Sequence, residues 1–255
     1  MLDIEIRKRV GYLTLNRVEK KNALNFEFIQ RIKTALDELV IHPQVKLLVI
    51  KSSSDVFCAG ADLEYLISLK NNSYENNVSD TRHIAELFDK IYNFPKLTIA
   101  QVEGHAIAGG CGIATACDFC YAVPDAKFGY SEVRIGFVPA LVSVYLVKKI
   151  GESKARELLL TGKLVSGEEA YRLGIINAIV TKEAIQDYVD DLAIQMVETT
   201  SEISIRETKK LLVHLHDKSW EEAIELATIA NAKMRETGDF KKGLNSFIEK
   251  VKLIW

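Results

Sequence analysis

Two short runs of small residues could do chemistry through their backbone. Residues 58–62 read Cys-Ala-Gly-Ala-Asp, and residues 108–112 read Ala-Gly-Gly-Cys-Gly. Each follows an apolar, strand-like segment, KLLVI at 46–50 and LTIAQV at 97–102, and each leads into a helix-like segment. A small-residue turn at a helix start leaves N–H groups free to meet a ligand, and the helix dipole adds partial positive charge there. Without bulky side chains, a ligand can approach that backbone closely. Two such turns facing each other could put two donors on one carbonyl oxygen and stabilise an oxyanion. The same residues would equally serve close helix–strand packing, and spacing alone leaves both readings open.

Other chemistries fit less well. Gly110-x-Gly112-x-x-Thr115 approaches a dinucleotide-binding pattern, but its third position is Thr and an earlier strand–turn–helix unit precedes it. No phosphate-binding Walker loop and no G-x-S-x-G nucleophile elbow is present. Cys117-x-x-Cys120 with Cys111 lacks a second pair or a nearby histidine to complete a tetrahedral metal site, so no metal is expected. The four cysteines, with Cys58, lie in apolar surroundings and are expected to be reduced core thiols of a cytoplasmic protein.

The elements that must position these turns follow from pattern. Residues 2–8 and 11–17 alternate around Gly11 and predict a hairpin, not a signal peptide. Phe28, Ile29, Ile32, Ala35, Leu36 and Leu39 share one face of a helix over 25–40. DLEYLISLK predicts a short helix. The polar run NNSYENNVSD is expected to be a loop, lid-like or merely inserted, before a helix over 81–93. FCYAV at 119–123 predicts another strand, and from 139 onward the pattern is mostly helical. Repeated strand–turn–helix units with a helical tail predict an α/β core with outer helices. The 255-residue chain is 48% hydrophobic, enough for a core without staples. A net charge of −2 offers no basic footprint for nucleic acid, and no apolar run reaches membrane-spanning length.

Several motifs in order resemble the crotonase (enoyl-CoA hydratase/isomerase) superfamily. They are NRVEKKNALN (16–25), VFCAGADL (56–63), GHAIAGGCG with ACD (104–118), FGYSEVRIGFVP (128–139), LLLTGKLVSGEEAYRLGIINAIV (158–180) and FKKGLNSFIEK (240–250). The resemblance implies a spiral of ββα units over residues 1–195 and a C-terminal helical region, 196–255, that assembles trimers, often paired into hexamers. It implies a coenzyme A or carrier-protein thioester as substrate, with no separate cofactor. It places the oxyanion donors on the backbone N–H groups of Ala61 and Gly109 and the catalytic carboxylate on Glu132. Ala59, Asp62, Leu63 and Gly110 are then expected around the thioester, and Lys20, Lys21, Phe247 and Lys250 at the coenzyme.

This chain departs from the family pattern in three places. Hydratases with two glutamates carry the first where this chain has Gly112, so one carboxylate is expected to act alone, with a backbone carbonyl or a water in the space left. Glu64 stands where some members have a coenzyme-contacting lysine. Pro139-Ala140-Leu141-Val142-Ser143 replaces a glycine-rich turn, and either reshapes the acyl pocket or packs the next helix. The expected activity is hydration or dehydration of an enoyl thioester. Δ3,Δ2-isomerisation and a non-catalytic acyl-CoA-binding protein are the alternatives. His105, Tyr130, Ser131 and Tyr145 are read as structural.

Overall fold

The computed structural model describes residues 1–255. The chain opens with the antiparallel hairpin β1 (Leu2–Arg7) and β2 (Val10–Leu15), and α1 (Phe26–Ile41) follows. The Asn25 side chain caps α1 by accepting from the Phe28 N–H at 2.9 Å. Then come β3 (Leu47–Ser52), β4 (Val56–Cys58), α2 (Leu63–Ser68) and α3 (Tyr74–Tyr92). The next unit is β5 (Leu97–Val102), β6 (His105–Ile107) and α4 (Gly109–Ala116). A third comprises β7 (Phe119–Ala122), β8 (Lys127–Gly129), a 3₁₀ turn at Glu132–Ile135 and α5 (Ala140–Ile150). The remainder is α6 (Glu152–Thr161), β9 (Leu164–Ser166), α7 (Gly167–Leu173), β10 (Ala178–Ile179), α8 (Ile185–Thr199), α9 (Glu202–Leu215), α10 (Trp220–Arg235) and α11 (Gly238–Glu249).

Two sheets result. One has the order β1-β2-β3-β5-β7-β10, and the other β4-β6-β8-β9. Each of the three units contributes its first strand to one sheet and its second to the other, then crosses by helix. This is the expected spiral of ββα units. Strand β5 is buried along its whole length, as a central parallel strand requires. The three-residue strands of the second sheet are too short to show a period in the sequence.

The run 74–80 is helix, not the expected loop. Ser73 caps α3 by accepting from the Asn76 N–H at 3.3 Å, and the helix buries nothing until His83, Leu87, Phe88 and Ile91. Its first turns lie in solvent, so they carry no apolar period to read.

The expected division at residue 195 falls inside α8. That helix presents Ile185, Val189, Ala193 and Val197 to the sheet. After Thr200, helices α9, α10 and α11 bury no residue within the chain. All four cysteines are free and buried, and burial pushes the thiols of Cys58, Cys111 and Cys117 up to about 12. They are inert core residues.

Candidate active site

The 16–25 segment and the β4–α2 turn are zipped together. Ala59 N–H donates to Lys21 O at 3.1 Å, Leu24 N–H to Gly60 O at 2.7 Å, and Asp62 N–H to Leu24 O at 2.8 Å. The buried Asn22 amide donates to Phe57 O at 3.0 Å and to Ser52 Oγ at 2.8 Å. In the single parallel bridge between Leu24 and Ala61, residue 24 takes both inward bonds. The Ala61 N–H therefore faces the other way, with no backbone acceptor.

The second turn lies against the first. Ala108 N–H donates to Gly129 O at 2.8 Å, and Ala108 sits at φ +50°, sparsely populated for a residue with a side chain. This bend starts α4 at Gly109, whose N–H has no partner as the first of the helix. Gly60 stands at φ +90°, and a Cβ there would lie 2.9 Å from Ala108 Cβ and 3.7 Å from the Gly109 nitrogen. Only glycine allows the two turns to meet this closely, and the two unpaired amides stand on neighbouring turns. Gly110 serves packing. It is buried, and a Cβ would collide with the Cys58 carbonyl.

Glu132 begins the 3₁₀ turn three residues after Gly129, the residue bonded to Ala108. Its backbone carbonyl accepts from Phe137 N–H at 3.0 Å, and Gly136, at φ +74°, closes the turn. Carboxylate atom Oε2 is buried without any hydrogen-bond partner. Burial raises the Glu132 carboxyl above the usual glutamate range, opposed only by its own backbone N–H. A partly desolvated carboxyl with one oxygen unpartnered is suited to hold a proton and release it.

Apolar side chains line the space beside Gly112. A Cβ on Gly112 would lie 2.6 Å from Val142 Cγ1 and 2.9 Å from Phe88 Cε1. Helices α3 and α5 therefore close over α4 where a second carboxylate would stand. Within the 139–143 segment, Val142 packs α5 against α4 at Gly112. Lys149, further along α5, caps the other end of α4 by donating to Cys117 O at 2.9 Å.

The remaining expected residues scatter. Leu63 is exposed and Ala59 is half-buried beside the turn. Asp62 turns inward: its carboxylate pairs with Arg17 Nη2 at 2.8 Å and caps α2 by accepting from Glu64 N–H at 3.0 Å. Burial alone would raise that carboxyl, but Arg17 and the two helix amides hold it below its usual range. Lys20 pairs with Glu64 at 2.6 Å on the surface, and Lys21 is exposed beside it. Phe247, 83% exposed, lies on α11, which packs against α10, and Lys250 ends that helix at φ +55°. His105 accepts from Lys127 N–H, and Tyr145 packs edge-on to Tyr92, both structural. Sequence reasoning missed Arg17 and Asn22, although both stand inside the quoted 16–25 motif.

The family model for enoyl-CoA hydratase/isomerase matches residues 5–255. The chain belongs to that family. A relative from Thermus thermophilus, provisionally named an enoyl-CoA hydratase, is 40% identical over 250 residues covering 98% of each chain. The crotonyl-CoA hydratase of Syntrophomonas wolfei is 30% identical over 255 residues, covering 98% of this chain and 95% of its own. The crystal structure of an enoyl-CoA hydratase from Mycobacterium smegmatis superposes with a TM-score of 0.92 at 27% identity, covering 100% of this chain and 98% of that one. This enoyl-CoA hydratase/isomerase family member is thus an enzyme with the crotonase fold. No helix is long and apolar enough to cross a membrane.

If the Gly109 amide is one of the two donors, Gly109→Pro removes it where proline is otherwise tolerated, at the first helical position. The facing Leu24 Cδ1, 3.0 Å from a Cβ there, is a flexible end. Turnover is expected to fall about 10²–10³-fold with the fold retained, as checked by kcat and circular dichroism.

Proposed function

We propose that the protein hydrates and dehydrates enoyl-CoA thioesters through an enolate, with Glu132 as the single acid/base. The observation that carries this reading is the buried, unpartnered Oε2 of Glu132, three residues beyond the Gly129 carbonyl that holds Ala108 at the start of α4. The thioester carbonyl oxygen accepts from the Ala61 and Gly109 N–H groups. Charge developing on that oxygen is stabilised, so the C2 proton becomes acidic and C3 electrophilic. In dehydration Glu132 takes the proton from C2 and passes it to the departing C3 hydroxyl, which leaves as water. Hydration is the reverse. The names of the relatives support the water chemistry.

The packing at Gly112 favours a second reading. With Val142 and Phe88 where another carboxylate would hold water, Glu132 could instead carry a proton from C2 to C4 and shift a double bond. Mass spectrometry after incubation with 2-enoyl- and 3-enoyl-CoA separates the two. A gain of one water supports the hydratase; a moved double bond at constant mass replaces it with the isomerase.

Lys20, Lys21, Phe247 and Lys250 are proposed to meet the coenzyme, Lys20 after leaving Glu64. We also propose assembly into trimers or hexamers through α9–α11. Its support is their exposed apolar side chains, among them Trp220 and Phe247, and an unfilled cavity of 640 Å³ between these helices and Trp255.

The acid limb of kcat/KM should titrate above the ordinary glutamate range. Glu132 must be ionised to take a proton, and burial raises its carboxyl. A pH–rate profile with an acid limb at or below the usual range would contradict the assignment.

A further inference from the structure

We propose that Arg17 is a positioning residue for the oxyanion hole, fixing the direction of the Ala61 N–H through Asp62. The proposal rests on the reading of Ala61 as a donor.

At Ala61 itself the ribbon meets the 16–25 segment through few bonds. One isolated bridge joins it to Leu24, through the Leu24–Gly60 and Asp62–Leu24 bonds of 2.7 and 2.8 Å. On one side of Ala61 stands Gly60 at φ +90°, a conformation open to glycine. On the other stands Asp62. The Arg17 fork spans both strands of the bridge: Nη1 donates to Ala23 O at 2.6 Å and Nη2 to Asp62 Oδ2 at 2.8 Å. Each anchor is the immediate neighbour of a bridged residue. The root of the fork is fixed as well, because Arg17 N–H donates to Asn22 Oδ1 at 2.7 Å and Asn22 N–H to Arg17 O at 3.0 Å.

Arg17 and Asp62 are 6% and 5% exposed, so the pair works with little screening by water. Arg17 Nε is buried with no partner. The guanidinium is thus placed for its two forked contacts, not for its own full solvation. A planar fork holds two oxygens at a set separation, which a lysine ammonium on a flexible stem does not. Asp62 Oδ1 caps α2 at the same time. The carboxylate therefore couples the bridge, the helix start and the intervening Ala61 amide into one rigid unit. An oxyanion donor gains its effect from being aimed before the charge develops.

The test uses Arg17→Lys and Asp62→Asn in the full chain, with Glu132→Gln as reference. Folding is checked by circular dichroism and affinity by the Kd of dimethylaminocinnamoyl-CoA. The absorption of this probe moves to longer wavelength when its carbonyl accepts strong hydrogen bonds. The expected result is folded protein, Kd within a few-fold of the parent, kcat lowered about tenfold or more, and a reduced red shift. Glu132→Gln should keep the full red shift while losing turnover. Folded variants with unchanged kcat and unchanged red shift, only less stable, would reduce Arg17 to a structural role and overturn the proposal. Should both variants fail to fold, Asp62→Glu, which keeps the charge but displaces the carboxylate, must lower kcat and red shift together, and unchanged values overturn it. Absence of any red shift in the parent enzyme would instead sink the oxyanion reading, and this proposal with it.

Discussion

Glu132→Gln is expected to lower turnover about 10²–10⁴-fold, the usual contribution of a positioned acid/base. The amide matches the carboxylate in shape and cannot move a proton. Binding of a substrate thioester should survive, since the substitution leaves the proposed oxyanion amides and the proposed coenzyme contacts untouched. Stability should hold or rise. A carboxyl raised by burial in the folded protein binds its proton more tightly than in the unfolded chain. That contribution is present below the unfolded value and is lost as pH rises through the folded one. Once ionised, the half-buried Glu132 carboxylate destabilises the fold, and glutamine removes that cost. Thermal melting with steady-state kinetics checks both halves. A variant with near-parent kcat would dismiss Glu132 as the acid/base, and one that is inactive only because it is unfolded would not support it.

Gly112→Glu, which restores the pattern of two-glutamate hydratases, is expected to damage this enzyme. The new side chain would enter space held by Val142 Cγ1 at 2.6 Å and the Phe88 ring at 2.9–3.0 Å. Overpacking and an unpaired buried charge add to at least about 3 kcal/mol of lost stability, from a total on the order of 5–15 kcal/mol. Denaturant unfolding measures the loss, and activity should fall with it. A stable variant with faster hydration would mean that α3 and α5 yield easily there and that the apolar packing does not define the site.

The reading from sequence was strongest where one element carries the whole signal. Strand β5 announced itself as an apolar run, and α1 through the spacing of Phe28, Ile32, Leu36 and Leu39. The two Gly-rich turns were legible because small residues follow a strand-like run and open a helix-like one, which the helix start at Gly109 and the bend at Gly60 match. The start of α3 was not, because a solvated turn such as 74–80 has no apolar face. Strands β4, β6, β8 and β9 are two or three side chains deep in signal and exist through their partners. Arg17 was hidden for a related reason. Its role depends on Asp62, far along the chain, and nothing in either residue announces the other. The occupant of the space at Gly112 likewise comes from Phe88 and Val142, on two helices that only the fold brings together.

The most direct test of the central claim is exchange of the C2 protons of butyryl-CoA in deuterated water, followed by mass spectrometry. A saturated thioester cannot gain water or move a double bond, so exchange reports only the paired amides and the carboxylate. Deuterium incorporation by the parent enzyme, abolished or slowed at least about 100-fold in Glu132→Gln, is the expected result. No exchange by the parent despite tight binding, or equal exchange by the variant, would contradict single-carboxylate enolate chemistry at Glu132.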